Sequence, residues 1–382
     1  QMKDVEIYPS KIQDFKKIIE KTYFKSLAEG GHSLGVDAAL AIGEPTTQLT
    51  LNSIDYNEYI TILINNDVRF TKIGTFIDNY MENYREFITI YDECTEYVGI
   101  SGLNIKTPCV DENGKTHWKL IEAVTRHPPP NGEKLIKVTT ESGRVVRATK
   151  SKSFLTRVNN KIIPTKGSDI KIGDRLPITV KLPHPLDIND DNSKTEKEYL
   201  NIIIENKNFN IELSYDFGFF LSFFLFSPST KFSDYLLFTH YETNIREKLK
   251  SFLLANQVQH MFLEDYIKLD SDFVNLINDL TSDKKSFPDF VLSGNFQLMR
   301  GIIDGIVSNY KNCEYSLEEI NIIFPNEVIC DCFINIMNIF GIFCHRVFQN
   351  DVYKLSIRYG NYIKFVNTFK ITVDSIHEFF QR

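Results

Sequence analysis

At 382 residues, 42% of them hydrophobic and with a formal net charge of −7, the chain has material for two or three cores and lacks the bias of a disordered or fibrous protein. The acidic balance argues against a strongly basic nucleic-acid binder. No stretch reaches the roughly 20 apolar residues that span a bilayer, so no membrane partner is expected.

Six cysteines (Cys94, Cys109, Cys313, Cys330, Cys332, Cys344) are dispersed without a secretory signal. They read as reduced thiols of a protein of the cytoplasm or nucleus. Cys330, Cys332, Cys344 and His345 cluster, but not at zinc-knuckle spacing, and buried thiols are the expectation.

The first 52 residues hold a helical stretch, Ile12 to Leu27, then a small-residue segment and the run Ile42 to Asn52. From 53 to about 182 short apolar runs alternate with turn signals. Tyr59 to Ile64 is succeeded by Asn65-Asn66, and Leu135 to Thr140 by Glu141-Ser142-Gly143. Val145 to Ala148, Ile162-Ile163 and Asp169 to Leu176 continue the pattern, and together these runs predict a compact all-β unit. Pro183 and the polar stretch after it, to residue 198, read as a linker.

Helical spacing then returns in Tyr215 to Phe226, Ile245 to Ala255, Phe296 to Ile306 and Val328 to Ile342. Val352 to Ile357 alternates like a strand. The predicted class is α+β: an all-β unit over 53–182, a linker over 183–198 and an α/β domain over 199–382.

Gly35-Val36-Asp37-Ala38-Ala39, then Ile42-Gly43-Glu44-Pro45 and Thr47-Gln48-Leu49-Thr50-Leu51-Asn52, resemble the largest subunit of multisubunit DNA-directed RNA polymerases. The resemblance stops at Asn52. It implies that residues 1–52 are a flanking host segment, an N-extein, whose partners after splicing are the other polymerase subunits.

The chain from Ser53 onward resembles the inteins, whose splicing unit has the horseshoe-like Hint fold. Ser53 to Glu58 matches an intein start, and Lys72 to Asp78 an early element. The longest match runs from Trp118 to Pro177 through Thr125-Arg126-His127-Pro128, Lys137-Val138-Thr139-Thr140, Gly143 to Thr149 and Lys171 to Pro177. The resemblance implies an acyl shift: the Ser53 hydroxyl attacks the carbonyl of Asn52 and turns the amide into an ester.

In that family a Thr and a His three residues on polarise the scissile peptide. Thr149 holds the Thr position, and Lys152 stands in place of the His. A lysine ammonium can donate to the developing oxyanion, or protonate the leaving amine if burial lowers its pKa, but it cannot act as a neutral imidazole does near pH 7. No cofactor is implied for this chemistry.

Asp216 to Leu225 and Leu298 to Gly305 resemble the paired LAGLIDADG helices of homing endonucleases, a resemblance covering most of 199–375. In that family small residues, here Ser222 and Gly301, let the two helices approach. Each helix ends in an acid, and the two acids together bind Mg²⁺ at the DNA. Those positions are Ser227 and Ile306 here, so no metal is expected to be held and the nuclease is expected to be inactive; Mg²⁺ would matter only if cleavage survived, while DNA stays a candidate partner through residual binding. Asp304 lies two residues too early, where the family caps or packs the helix end.

An intein ends in His-Asn before a nucleophile, and the run Ile376 to Arg382 does not show this. Completion of splicing is therefore expected to need a C-terminal segment, from a longer chain or in trans. The alternative reading is a non-splicing, DNA-binding or maturase-like protein, which a basic groove over 199–375 would favour.

Overall fold

The computed structural model describes residues 12–26, 53–65, 67–90, 94–111, 113–128, 134–183, 199–204, 207–227, 235–237, 243–263, 266–292, 296–308, 313–316 and 318–369. The chain forms two compact units, residues 1–51 and 52–382. In the first, α1 (Ile12–Ser26) leaves Ile12, Ile18 and Ile19 exposed. The polymerase-like run, the scissile-bond partner Asn52 and nearly all of the 183–198 linker lie outside the described residues.

The second unit begins with an antiparallel hairpin of β1 (Tyr59–Ile64) and β2 (Asp67–Lys72). Asn65 turns it at a left-handed φ of 50°, a conformation asparagine tolerates. Next come α2 (Ile73–Asn83), β3 (Thr89–Ile90), β4 (Glu96–Gly99), β5 (Lys106–Val110), β6 (Thr116–Leu120) and β7 (Ala123–Arg126). Two more hairpins close this part: β8 (Ile136–Thr139) with β9 (Val145–Ala148), and β10 (Ser153–Val158) with β11 (Lys161–Lys166).

Sheets of order β2-β1-β5-β6 and β3-β4-β7 accompany the two hairpins. Ile62, Phe76, Met81, Val98, Ile100, Ile105 and Val124 make a small core here. The all-β expectation is corrected by α2, which buries Gly74, Phe76 and Met81 on that core. Asp169 to Leu176 is not a strand either. A 3-10 turn covers Gly167–Asp169, and the Asp174 carboxylate then accepts from the Lys171 amide at 2.8 Å to close a turn in which Gly173 has φ +100°.

The rest of the unit starts with a hairpin of β12 (Tyr199–Ile204) and β13 (Lys207–Glu212). Two runs of similar order come after it. The first is α3 (Tyr215–Phe226), β14 (Tyr235–Leu237), α4 (Thr243–Ala255), the β15 (His260–Phe262) and β16 (Tyr266–Leu269) hairpin, and α5 (Ser271–Leu280). The second is α6 (Phe296–Ser308), β17 (Cys313–Tyr315), β18 (Glu319–Phe324), α7 (Glu327–Ile339), the β19 (His345–Gln349) and β20 (Val352–Arg358) hairpin, and α8 (Tyr359–Thr368). Their sheets have the orders β14-β16-β15 and β17-β18-β20-β19.

Local chemistry explains the bounds of α3. The Ser214 hydroxyl accepts from the Phe217 amide at its start. At its end Ser227 precedes Pro228 and turns extended, at φ −72° and ψ 130°, because a proline disfavours helical backbone in the residue before it. Apolar on every side, the helix is buried from Phe217 to Phe226.

The two halves of the second unit share one core. Successive strand residues point to opposite faces, so Ile62 of β1 enters the small core while its neighbour Leu63 joins the large one around α3 and α6. Val68 and Leu182 join Leu63 there.

Candidate splicing site and paired helices

Ser53 and Thr149 lie far apart in sequence and meet in space. The Ser53 amide donates to Thr149 Oγ1 at 3.1 Å, and the Thr149 amide donates to the Ser53 carbonyl at 3.0 Å. Ile54 bridges Ala148 at the end of β9, and the Asp55 amide donates to the Arg147 carbonyl at 2.9 Å. The start of the predicted element thus runs as a short antiparallel partner to β9. Thr149 is 1% exposed, which holds its hydroxyl in one place against the nitrogen that an acyl shift would release.

Lys152 comes next in the same turn, its amide on the Thr149 carbonyl at 3.1 Å and its own carbonyl accepting from Gly167 at 2.8 Å. It lines a cleft of about 1420 Å³ together with Ile54 and Ala148. Burial pulls its pKa below the usual lysine value. An amine whose folded pKa is depressed holds fewer protons folded than unfolded. Its destabilisation is therefore full at pH 7 and relieved as pH rises from the lowered value towards the unfolded value of 10.5. Replacing Lys152 with Met is accordingly expected to raise the melting temperature at pH 7 by roughly 2–4 °C. Calorimetry at two pH values checks this: an equal gain at pH 7 and pH 10.5 would show that the charge is not responsible.

The helices α3 and α6 pack at backbone distance. A Cβ on Gly301 would lie 1.9 Å from the Tyr215 carbonyl oxygen, and one on Gly218 would lie 2.1 Å from that of Leu298. Ser222 and Gly305 face each other in the same seam, where a Cβ on Gly305 would sit 2.0 Å from Ser222 Oγ. The small-residue expectation named Ser222 and Gly301; the structure adds Gly218 and Gly305.

Ser227 caps the end of α3 and Ile306 is fully buried near the end of α6. Neither carries a carboxylate, so the pair does not fit a hard divalent cation. Lys284 Nζ donates to the Ser227 carbonyl at 3.2 Å, and the Cys313 thiol donates to the Ile306 carbonyl at 3.4 Å. Among the described residues no group of His, Cys, Asp or Glu is arranged to hold a metal ion.

Lys284 is not legible in the sequence because three successive left-handed residues, Ser282 to Lys284, carry it there, and no motif marks such a turn. Asp304 behaves as expected of a helix-packing acid: it accepts from the Tyr215 hydroxyl at the start of α3 and pairs with Lys248 at 2.9 Å.

On the outer face of the second sheet Lys354 pairs with Glu314 at 2.8 Å and Arg358 with Glu319 at 2.7 Å. Opposite charges offset one another at these two pairs. Cys330, Cys332 and Cys344 are buried, and burial raises their thiol pKa values, Cys344 to about 12, so they are unreactive. Among the described residues no helix is long and apolar enough to cross a membrane.

No protein-family model matches the chain. The chain is 29% identical, over 92% of its length, to DNA-directed RNA polymerase subunit Rpo1C of Methanocaldococcus jannaschii, and it spans 42% of that protein. Among solved structures, a transcription factor IIB Mvu mini-intein is 27% identical with a TM-score of 0.31, covering 34% of this chain and 70% of that one. I-DmoI in complex with DNA and Mn is 14% identical with a TM-score of 0.32, covering 42% of this chain and 98% of that one. With Ser53 held against Thr149 and the two helix motifs closed on one another, the chain resembles an intein that carries a LAGLIDADG-type endonuclease-like domain.

Proposed function

We propose that residues 1–52 are a segment of an RNA polymerase largest subunit and that the element beginning at Ser53 starts its own removal by an N-to-O acyl shift. The Ser53 oxygen attacks the carbonyl carbon of Asn52. The C–N bond to Ser53 breaks as the C–O bond forms; the hydroxyl gives up its proton and the freed amine takes one up, so no proton is gained or lost overall. The step is an isomerisation, so it needs no co-reactant or cofactor.

The observation that carries this reading is the two-way hydrogen bonding of Ser53 and Thr149, at 3.1 and 3.0 Å. It fixes the departing nitrogen against a buried hydroxyl. Lys152, with its lowered pKa, is the proton donor in this scheme, acting on the leaving amine or on the oxyanion. Transesterification and asparagine cyclisation are assigned to none of the described residues; a C-terminal segment, in cis or in trans, would supply their groups. Association with other polymerase subunits belongs to the spliced host.

Mass spectrometry of the purified chain with and without hydroxylamine tests the scheme, because hydroxylamine traps an ester at residue 53. Release of residues 1–52 only with the nucleophile supports it. An unchanged mass for both the parent chain and a Ser53→Cys variant overturns it.

The same reading makes the endonuclease-like domain catalytically silent. A duplex carrying the uninterrupted host-gene junction should remain intact at millimolar Mg²⁺ and also with Mn²⁺ (checked by gel). Metal-dependent cutting would refute the loss of activity.

A further inference from the structure

A hairpin of two strands is marginal in water on its own. The β8–β9 hairpin is two-stranded, yet it delivers Thr149 to Ser53. Besides its pairing with residues 54 and 55, the hairpin is held by the endonuclease-like domain. At its tip Gly143 adopts φ +79° and presses on β19 so closely that a Cβ would lie 1.8 Å from the Arg346 carbonyl oxygen. The Arg346 amide donates to the Ser142 carbonyl at 2.9 Å, and its Nε donates to the Gly143 carbonyl at 2.8 Å.

The Arg346 side chain is 3% exposed and is itself held by α7, through Asp331 at 2.5 Å and Glu327 at 3.3 Å. Glu327 also reaches Arg147 at 4.0 Å. Arg147 in turn binds Glu58 Oε1 through its guanidinium at 2.9 Å and its backbone amide at 3.0 Å. The Arg147 carbonyl then holds Asp55, two residues from Ser53. Polar contacts therefore run unbroken from α7 to the first residues of the element.

Apolar packing runs along the same seam. Leu63, Val68 and Leu182 lie in one core with α3 and α6, and the Leu182 amide donates to the Asn338 carbonyl at the end of α7 at 2.9 Å.

We propose that the endonuclease-like domain, having lost the acids of its own reaction, serves as a positioning element for splicing: Arg346 and Glu327 hold the β8–β9 hairpin in the register that joins Thr149 to Ser53. The proposal rests on the acyl-shift reading above. It explains why an inactive nuclease would be kept well packed: its removal would expose the core it shares with β1 and β2 and free the hairpin that carries Thr149.

The test uses the full chain in a Ser53→Cys background, with Gly143→Val, Arg346→Met, the conservative Arg346→Lys, and Glu327→Gln as a variant that leaves the core untouched. Two quantities are read: the rate of hydroxylamine-dependent release at residue 53, and hydrogen exchange of peptides 53–58 and 145–150 against 319–324 and 352–358. Gly143→Val and Arg346→Met should slow release by roughly 10- to 100-fold, since small misplacements of reacting groups weigh that much. Exchange should quicken in 53–58 and 145–150 alone, with Arg346→Lys recovering part of both and Glu327→Gln showing a smaller change of the same kind.

Release and exchange at parent values in Gly143→Val and Arg346→Met would overturn the proposal. So would acceleration of exchange in all four peptides together, which marks general destabilisation. If the Ser53→Cys parent itself releases nothing, the acyl-shift reading fails, while the exchange pattern still decides whether the domain holds the hairpin.

Discussion

Replacement of Ser53 by alanine should abolish hydroxylamine-dependent release of residues 1–52, and replacement by cysteine should raise its rate by on the order of 100-fold at pH 7. The reason is the nucleophile. A serine hydroxyl stays protonated near neutrality, and the side chain bonded to this residue is the Thr149 hydroxyl, which is not a base. A thiol is already a few per cent ionised at that pH and is the better nucleophile for carbonyl carbon.

Adding Lys152→His to the cysteine variant should give a further increase of about 10-fold or more, because an imidazole titrates near pH 7 and can take and give the proton in turn. Rates measured by mass spectrometry between pH 6 and pH 9 decide the matter. Equal release from the alanine variant would mean that cleavage at this bond does not pass through residue 53.

Gly301→Val should destabilise the second unit more than any surface change, by about 4 kcal/mol and roughly 10 °C in melting temperature. A Cβ there would lie 1.9 Å from the Tyr215 carbonyl oxygen and 2.9 Å from the Phe219 amide nitrogen, and backbone atoms of α3 cannot swing aside as a side chain can. The helices would have to separate, opening voids around Phe219, Ile302 and Ile306, each at most 1% exposed. Thermal unfolding monitored by circular dichroism measures the loss. A drop below about 1 kcal/mol would show that α3 and α6 do not pack at backbone distance. Since Leu63 and Val68 share this core, the splicing half should lose its structure in the same transition.

Much of the local structure can be read directly from the chain. Ser214 and Pro228 bracket α3 because a hydroxyl cap and a proline act on the backbone within three residues of themselves. Asn65 and Gly143 announce their turns because left-handed φ is open to few residue types. The buried state of Cys330, Cys332 and Cys344 agrees with their apolar neighbours. An ordered set of motifs marks Ser53, Thr149 and Lys152, and likewise Ser227 and Ile306, where the acids are absent.

Other features belong to the tertiary structure alone. No local pattern says that Gly143 will lie on Arg346 or that Lys284 will reach the end of α3. Leu63 and Ile62 look alike in sequence, yet they serve two different cores because strand geometry turns them to opposite faces. Caps and turns are settled by sterics and hydrogen bonds spanning a few residues, which any short stretch carries within itself. The meeting of Ser53 with Thr149, and the seam that supports it, depend on many weak contacts between distant segments, and only the folded chain brings these together.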